Sequence, residues 1–180
     1  MIEASDDGAL LQAWRAGDNQ SGNLLLARHF PSLLRFFQNK VGGDAEELIQ
    51  RTMLACVESC AAFRGEASFR TYLFTLARHE LYRFFRQRAA RHLDVEASSL
   101  LDLTTSVTGR LVRRERVHAL EQALEHLPLD DQILLELFYT EELDSGALAE
   151  VFGIEASSVR ARLHRARAAI ARLLQSERGS

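Results

Sequence analysis

Residues 145–164 read SGALAEVFGIEASSVRARLH, and this stretch decides the fold of the C-terminal half. Ala149, Gly153 and Val159 stand at the spacing of a helix-turn-helix. A small Ala149 lets the second helix approach the first. Gly153 permits the left-handed conformation that a tight turn between helices needs. Val159 packs the second helix onto the first, with Leu148, Phe152 and Ile154 expected around it. At 100° per residue, Val159, Leu163, Ala166, Ile170 and Leu173 share one face. Ser157, Arg160, Ala161, His164 and Arg167 share the other, with Ser158 beside them. Arginine forks suit guanine edges, and small residues admit the wall of a major groove. Arg165 and Arg172 flank that face and suit phosphates. A helical hairpin that binds no DNA can carry the same spacing.

Helical periodicity continues through nearly the whole chain, and no segment alternates over strand length. The reading is all-α. Helices are expected over residues 6–16, from Asn19 to about Lys40 with a break near Pro31, and from Asp44 to about Ala62. After the loop FRGEA, Ser68 caps a long helix to about Arg91. Residues 92–109, HLDVEASSLLDLTTSVTG, lack Arg and Lys and read as a linker. Further helices are expected at about 110–126, 130–140, 145–152 and 156–175. Two small helical domains result, 1–91 and 110–180, within a length of 180 residues that allows one domain or two.

Net charge is −3, but its distribution is uneven. Residues 83–91 carry four arginines and no acid; residues 156–176 carry five and no acid. Residues 115–155 hold eleven acids against Arg116 alone. Such basic stripes are local footprints for a polyanion, although solvated helix faces also look this way. The helix from Ser68 mixes aromatics with arginines. Phe69, Leu73, Leu76, Ala77 and Phe84 are expected to form its core stripe. That leaves Phe74, Tyr82 and Phe85 partly off the stripe, beside Arg78 and Arg86. Aromatics next to arginines suit stacking on unpaired bases and holding their phosphates. A broad core face in a small domain accounts for them equally well.

No nucleophile–base pair, phosphate-cradling glycine loop or Cys/His cluster with zinc spacing is present, so no enzyme, cofactor or metal is expected. Cys56 and Cys60, one helical turn apart, read as small buried hydrophobes in a reducing compartment. The acidic start MIEASDDGALLQ lacks the features of a signal peptide, and no apolar run has membrane-span length. A cytoplasmic protein is expected.

Over about residues 6–175 the chain resembles the extracytoplasmic-function (ECF) class of bacterial sigma factors, in the sigma-70 family. The resemblance rests on LLQAWRAGD (10–18), GDAEELIQRTML (43–54), AAFRGEASFRTYLFTLARHELYRFFRQR (61–88), LAEVFGIEASSVRARLHRAR (148–167) and the pair Leu127-Pro128. It implies a non-enzymatic factor that binds core RNA polymerase and directs it to promoter DNA. The first domain would recognise and melt the −10 element, and the second would read the −35 element as duplex. By position, the −10 residues implied are Arg64, Gly65, Glu66, Ser68, Phe69, Arg70, Thr71, Phe74, Arg78, His79, Tyr82 and Arg86. Those for −35 are Ser157, Ser158, Arg160, Ala161, His164, Arg165 and Arg167. Segment 44–54 would meet the polymerase clamp through Glu46, Glu47, Gln50, Arg51 and Met53.

Four departures from the family pattern matter. Arg51 stands where an acid is usual and Met53 where Phe is usual. His79 replaces a common Asn. Asp130-Asp131 stand where a basic residue is frequent. Thr52, next to Arg51, has a basic-then-threonine order that many Ser/Thr kinases accept. Its phosphorylation would return negative charge to the clamp helix. No further domain is expected after the helix-turn-helix, which leaves control to a partner such as an anti-sigma factor or a kinase. The rival readings are a helix-turn-helix regulator acting without polymerase and a degenerate sigma-like decoy.

Overall fold

The computed structural model describes residues 6–63, 65, 67–93 and 123–177. Every regular element among them is helical. In chain order the α-helices with both ends described are α1 (Asp7–Arg15), α2 (Asn19–Val41), α3 (Ala45–Ser59), α4 (Phe69–Leu93), α5 (Leu129–Tyr139), α6 (Ser145–Phe152) and α7 (Ala156–Glu177), with short 3-10 turns at Gly42–Asp44 and Cys60–Ala62 on either side of α3. The chain divides into two compact units, Met1–Ser98 and Ser99–Ser180. The expected linker 92–109 and most of the helix expected at 110–126 lie outside the described residues, although α4 itself runs to Leu93.

In the first unit, α2 is one continuous helix through Pro31, not the broken helix expected from the sequence. Proline removes one backbone donor and crowds the preceding turn. Here the ring is exposed, while Leu25, Leu33, Phe36 and Phe37 on the same helix are buried and hold both halves in line. The cap of α2 is Asp18, one residue before the expected Asn19. Its Oδ1 accepts from the N–H groups of Gln20 and Ser21 at 3.0 and 3.4 Å. Asp44 occupies the cap position of α3 without a side-chain cap bond, and its carboxylate faces Arg88 of α4 at 3.7 Å.

Helix α1 is pinned to α2 by two devices. Asp7 accepts from Arg28 Nη1 at 2.6 Å and lies 2.6 Å from His29 Nε2. Burial works against the Asp7 charge, but the hydrogen bonds and charges of Arg28 and His29 outweigh it and lower its pKa. Trp14 lies directly on Gly22: a Cβ there would stand 2.6 Å from the indole, so only glycine admits this approach. Buried His29 in turn packs against Phe69 at the start of α4, ring centroids 5.4 Å apart. Cys56 and Cys60 are free and buried as expected, and burial, with Cys60 nearby, pushes the Cys56 thiol up to about 12.

In the second unit the helix-turn-helix forms as its spacing predicts. Asp144 caps α6 by accepting from the N–H groups of Gly146 and Ala147, both at 2.8 Å. Gly153 adopts φ 65°, ψ 37° and ends α6 in the left-handed conformation. Val159, Leu148 and Val151 are fully buried between α6 and α7. Ile154 is not part of that cluster; it is 37% exposed in the turn, where the reversed chain points it outward.

Candidate nucleic-acid and polymerase interfaces

The start of α4 is built around Ser68. Its Oγ accepts from Thr71 N–H at 3.1 Å and lies 2.8 Å from Thr71 Oγ1. Thr71 is therefore spent on the cap and is buried, which removes it from direct DNA contact. Phe69 and Phe74 are also core residues, 3% and 0% exposed, and Phe74 meets Phe36 edge-on at 5.6 Å. The expectation that Phe74 lies off the core stripe is wrong. The stripe is Phe69, Leu73, Phe74, Ala77 and Leu81, while Leu76 and Phe84 are only half-buried. Helix α4 carries apolar residues all round, so its buried side is chosen by what it packs on rather than by its own periodicity.

What α4 leaves open is a face of Arg78, His79, Tyr82, Phe85 and Arg86. His79 and Arg86 are exposed, and Arg78 lies over the Tyr82 ring at 4.9 Å. Arg70 is half-buried and Gly65 exposed with φ 76°; Arg64 and Glu66 lie outside the described residues. Just before the loop, Phe63 stacks on Tyr72 at 4.3 Å, and the Tyr72 hydroxyl bonds Ser59 at the end of α3.

On α3, Glu46, Glu47 and Gln50 are exposed, with Arg51 and Met53 half-buried. Arg51 Nη2 reaches Glu47 Oε1 at 2.5 Å, so the unusual arginine neutralises an acid on its own helix. Thr52 is 0% exposed and donates its hydroxyl to the Leu48 carbonyl at 2.7 Å. That placement overturns the phosphorylation expectation: no kinase reaches a hydroxyl inside the core. Leu54 and Val57, 58% and 50% exposed, share the outer face with Gln50 and were not singled out in the sequence. Their helical spacing from Gln50, four and seven residues on, was the available signal.

On α7, Ser157, Ser158, Arg160, Ala161, His164, Arg165 and Arg167 are all exposed, while Val159, Leu163 and Ala166 face inward. Arg167 lies over Phe138 and Tyr139 of α5 at 5.0 and 5.3 Å. Arg162 behaves differently from its neighbours. Its Nε donates to Asp131 at 2.5 Å and its Nη1 lies 3.5 Å from Asp130, both on the first turn of α5. Burial works against its charge, but the bond and charge of Asp131, with Asp130, outweigh it and raise its pKa.

An aromatic–arginine helix face, followed by a helix-turn-helix with a small-residue and arginine face, is an arrangement suited to a promoter-recognition factor. Residues 25–91 match the family model of sigma-70 region 2, and residues 118–170 match sigma-70 region 4. The chain is 33% identical over 127 residues to the RNA polymerase sigma factor YlaC of Bacillus subtilis, covering 68% of this chain and 73% of that one. It is 25% identical to the ECF RNA polymerase sigma-E factor of Haemophilus influenzae, covering 97% and 98%. It is 27% identical to the ECF sigma factor SigM of Mycobacterium tuberculosis, covering 93% and 84%. Among solved structures the fold resembles CnrH in complex with the cytosolic domain of CnrY, with TM-score 0.70, 23% identity and coverage of 94% and 97%. It also resembles the sigma factor RpoE in complex with the anti-sigma factor NepR from Bartonella quintana, with TM-score 0.68, 22% identity and coverage of 88% and 97%. The chain belongs to the sigma-70 family of RNA polymerase sigma factors, in its ECF class. Regions 2 and 4 in one chain support the sigma-factor reading over the helix-turn-helix regulator reading.

Proposed function

We propose that residues 1–91 form a −10 domain that recruits polymerase and captures unpaired bases, that 92–109 form a linker, and that 110–180 form a −35 domain. The factor acts by binding, without chemistry of its own, in the cytoplasm. Polymerase contact falls on the outer face of α3, through Glu46, Glu47, Gln50, Arg51, Met53, Leu54 and Val57. Two exposed apolar residues among acids match a partner surface that is apolar at its centre and basic at its rim. The −10 set keeps Arg64, Gly65, Glu66, Ser68 and Arg70 in and around the loop, and Arg78, His79, Tyr82 and Arg86 on α4. Phe69, Thr71 and Phe74 support that helix from inside. The −35 set is Ser157, Ser158, Arg160, Ala161, His164, Arg165 and Arg167. An anti-sigma factor is a proposed partner, since RpoE of Bartonella quintana was solved with one.

One observation carries this reading: regions 2 and 4 occur in one chain in that order, each with an exposed arginine face. The test is selection of promoters from a randomised DNA library by core polymerase loaded with this chain, followed by permanganate probing of the selected fragments. Two short sequence blocks are expected, with reactive thymines confined to the downstream block. Enrichment of a palindrome with no unpaired thymine would refute it.

A further inference from the structure

The sequence shows five arginines on the recognition helix but not which of them are available. Arg162 differs from the rest. Its side chain is 27% exposed, while Arg160, Arg165, Arg167 and Arg172 are exposed. Seen down the helix, it sits about 60° from Val159, at the border between the buried and open faces. From that border its guanidinium reaches two other helices. It bonds Asp131 and lies near Asp130 on α5, and it lies over the Phe152 ring at the end of α6, 5.9 Å from the centroid. The acids stand on the first turn of α5, where the helix dipole favours them.

We propose that Arg162, held by Asp131 and Asp130, is a positioning residue of the −35 reader: it fixes how α7 sits on α5 and α6, and it is withheld from DNA phosphates. The proposal rests on the assignment of α7 to duplex recognition. Apolar contacts from Val159, Leu163 and Ala166 hold α7 in place but are non-directional. A charge-assisted bond between planar groups adds direction. It therefore limits rotation of α7, and with it the angle at which Arg160 and His164 meet base edges. The paired acids also keep a surplus cation off the face. Freed, Arg162 would join Arg165 as a second phosphate contact on that border and strengthen binding to any sequence.

The two partners of one ion pair then differ in their effect on salt dependence: loss of the arginine leaves it unchanged and loss of the acids steepens it, which a merely structural pair would not do. The full chain is loaded on core polymerase. Binding is measured across a series of salt concentrations to two probes: a duplex that the wild-type holoenzyme has selected from a randomised −35 library, and a scrambled duplex of equal length. Arg162→Ala lowers the selected-to-scrambled ratio by roughly ten-fold, the scale of one displaced base contact, and leaves the salt slope unchanged. Asp130→Asn with Asp131→Asn also lowers the ratio, but by tightening the scrambled duplex, and steepens the slope by about 0.9, one added phosphate. Asp131→Glu retains the charge and keeps the wild-type slope. Helical content of each variant is measured alongside. A slope that flattens by about 0.9 in Arg162→Ala would make Arg162 a phosphate contact and overturn the proposal. So would acid variants with wild-type slope and ratio, or ones that merely unfold while Asp131→Glu behaves as they do. A wild-type holoenzyme with no duplex preference would instead remove the −35 assignment, and this proposal with it.

Discussion

Replacing Phe74 separates two roles that its sequence context left open. As a base-stacking residue it would be dispensable for folding. As a core residue it is fully buried against Phe36, and Phe→Ala at such a site costs about 3–5 kcal/mol. A domain of roughly 90 residues has about 5–13 kcal/mol to lose, at 0.05–0.15 kcal/mol per residue. At about 4–8 °C per kcal/mol for a domain of this size, Phe74→Ala lowers the melting temperature of the first unit by more than about 12 °C. Phe74→Leu keeps most of the volume and costs about 1–2 kcal/mol. Trp14 is the single tryptophan and lies in this unit against Gly22, so its fluorescence follows the unfolding of the first unit alone. Urea titrations of wild type, Phe74→Leu, Phe74→Ala and Tyr82→Ala should rank midpoints in the order wild type, Tyr82→Ala, Phe74→Leu, Phe74→Ala. Tyr82→Ala should keep most stability yet lose promoter melting. A Phe74→Ala midpoint equal to wild type, with melting lost, would refute the core assignment.

Arg160→Ala should cost roughly 1–3 kcal/mol at one −35 position and relax base preference there, read by competition between single-base variants of the selected duplex. Thr52→Glu should lower the urea midpoint of the Trp14 transition and bring no gain in polymerase affinity, because it places a carboxylate inside the core. Arg51→Gln should leave stability within about 1 kcal/mol, since a half-exposed helix pair contributes little, and should speed association with core polymerase at low salt by freeing Glu47; stopped-flow at two ionic strengths checks this. Asp7 has a folded pKa below its ordinary 3.8, so its stabilisation is complete above that value and is lost as pH falls through the folded pKa. Asp7→Asn should therefore destabilise the first unit at neutral pH and flatten its acid-limb loss below about pH 4, followed by Trp14 fluorescence.

The sequence made some of this plain for physical reasons. Gly153 and Val159 are legible because a left-handed turn and a buried contact each demand a narrow residue choice at a fixed spacing. The Ser68 cap is legible because its bond spans only three residues. The cap of α2 was placed one residue late because Asp18 and Asn19 are equally good cap formers side by side. Helix α4 was misjudged because Phe69, Phe74, Phe84 and Phe85 surround it, and only the neighbours α2 and α3 choose the side. Arg162 entered the sequence reading only as one of five arginines in 156–176, with no role, because its partners lie 31 and 32 residues upstream, beyond any local pattern. Thr52 was read as a kinase target from its order after Arg51, and that order says nothing of burial: Thr52 is fully buried one step round the helix from half-buried Arg51.

As a sigma factor, this chain gives core RNA polymerase the ability to start at chosen sites. Run-off transcription from fragments selected by the loaded polymerase measures it directly. Core polymerase with this chain should produce discrete transcripts from fixed start sites, and the same enzyme carrying the Arg160→Ala chain should lose those from templates dependent on the −35 block. Transcription no greater than that of core polymerase alone, with the chain demonstrably bound, would contradict it.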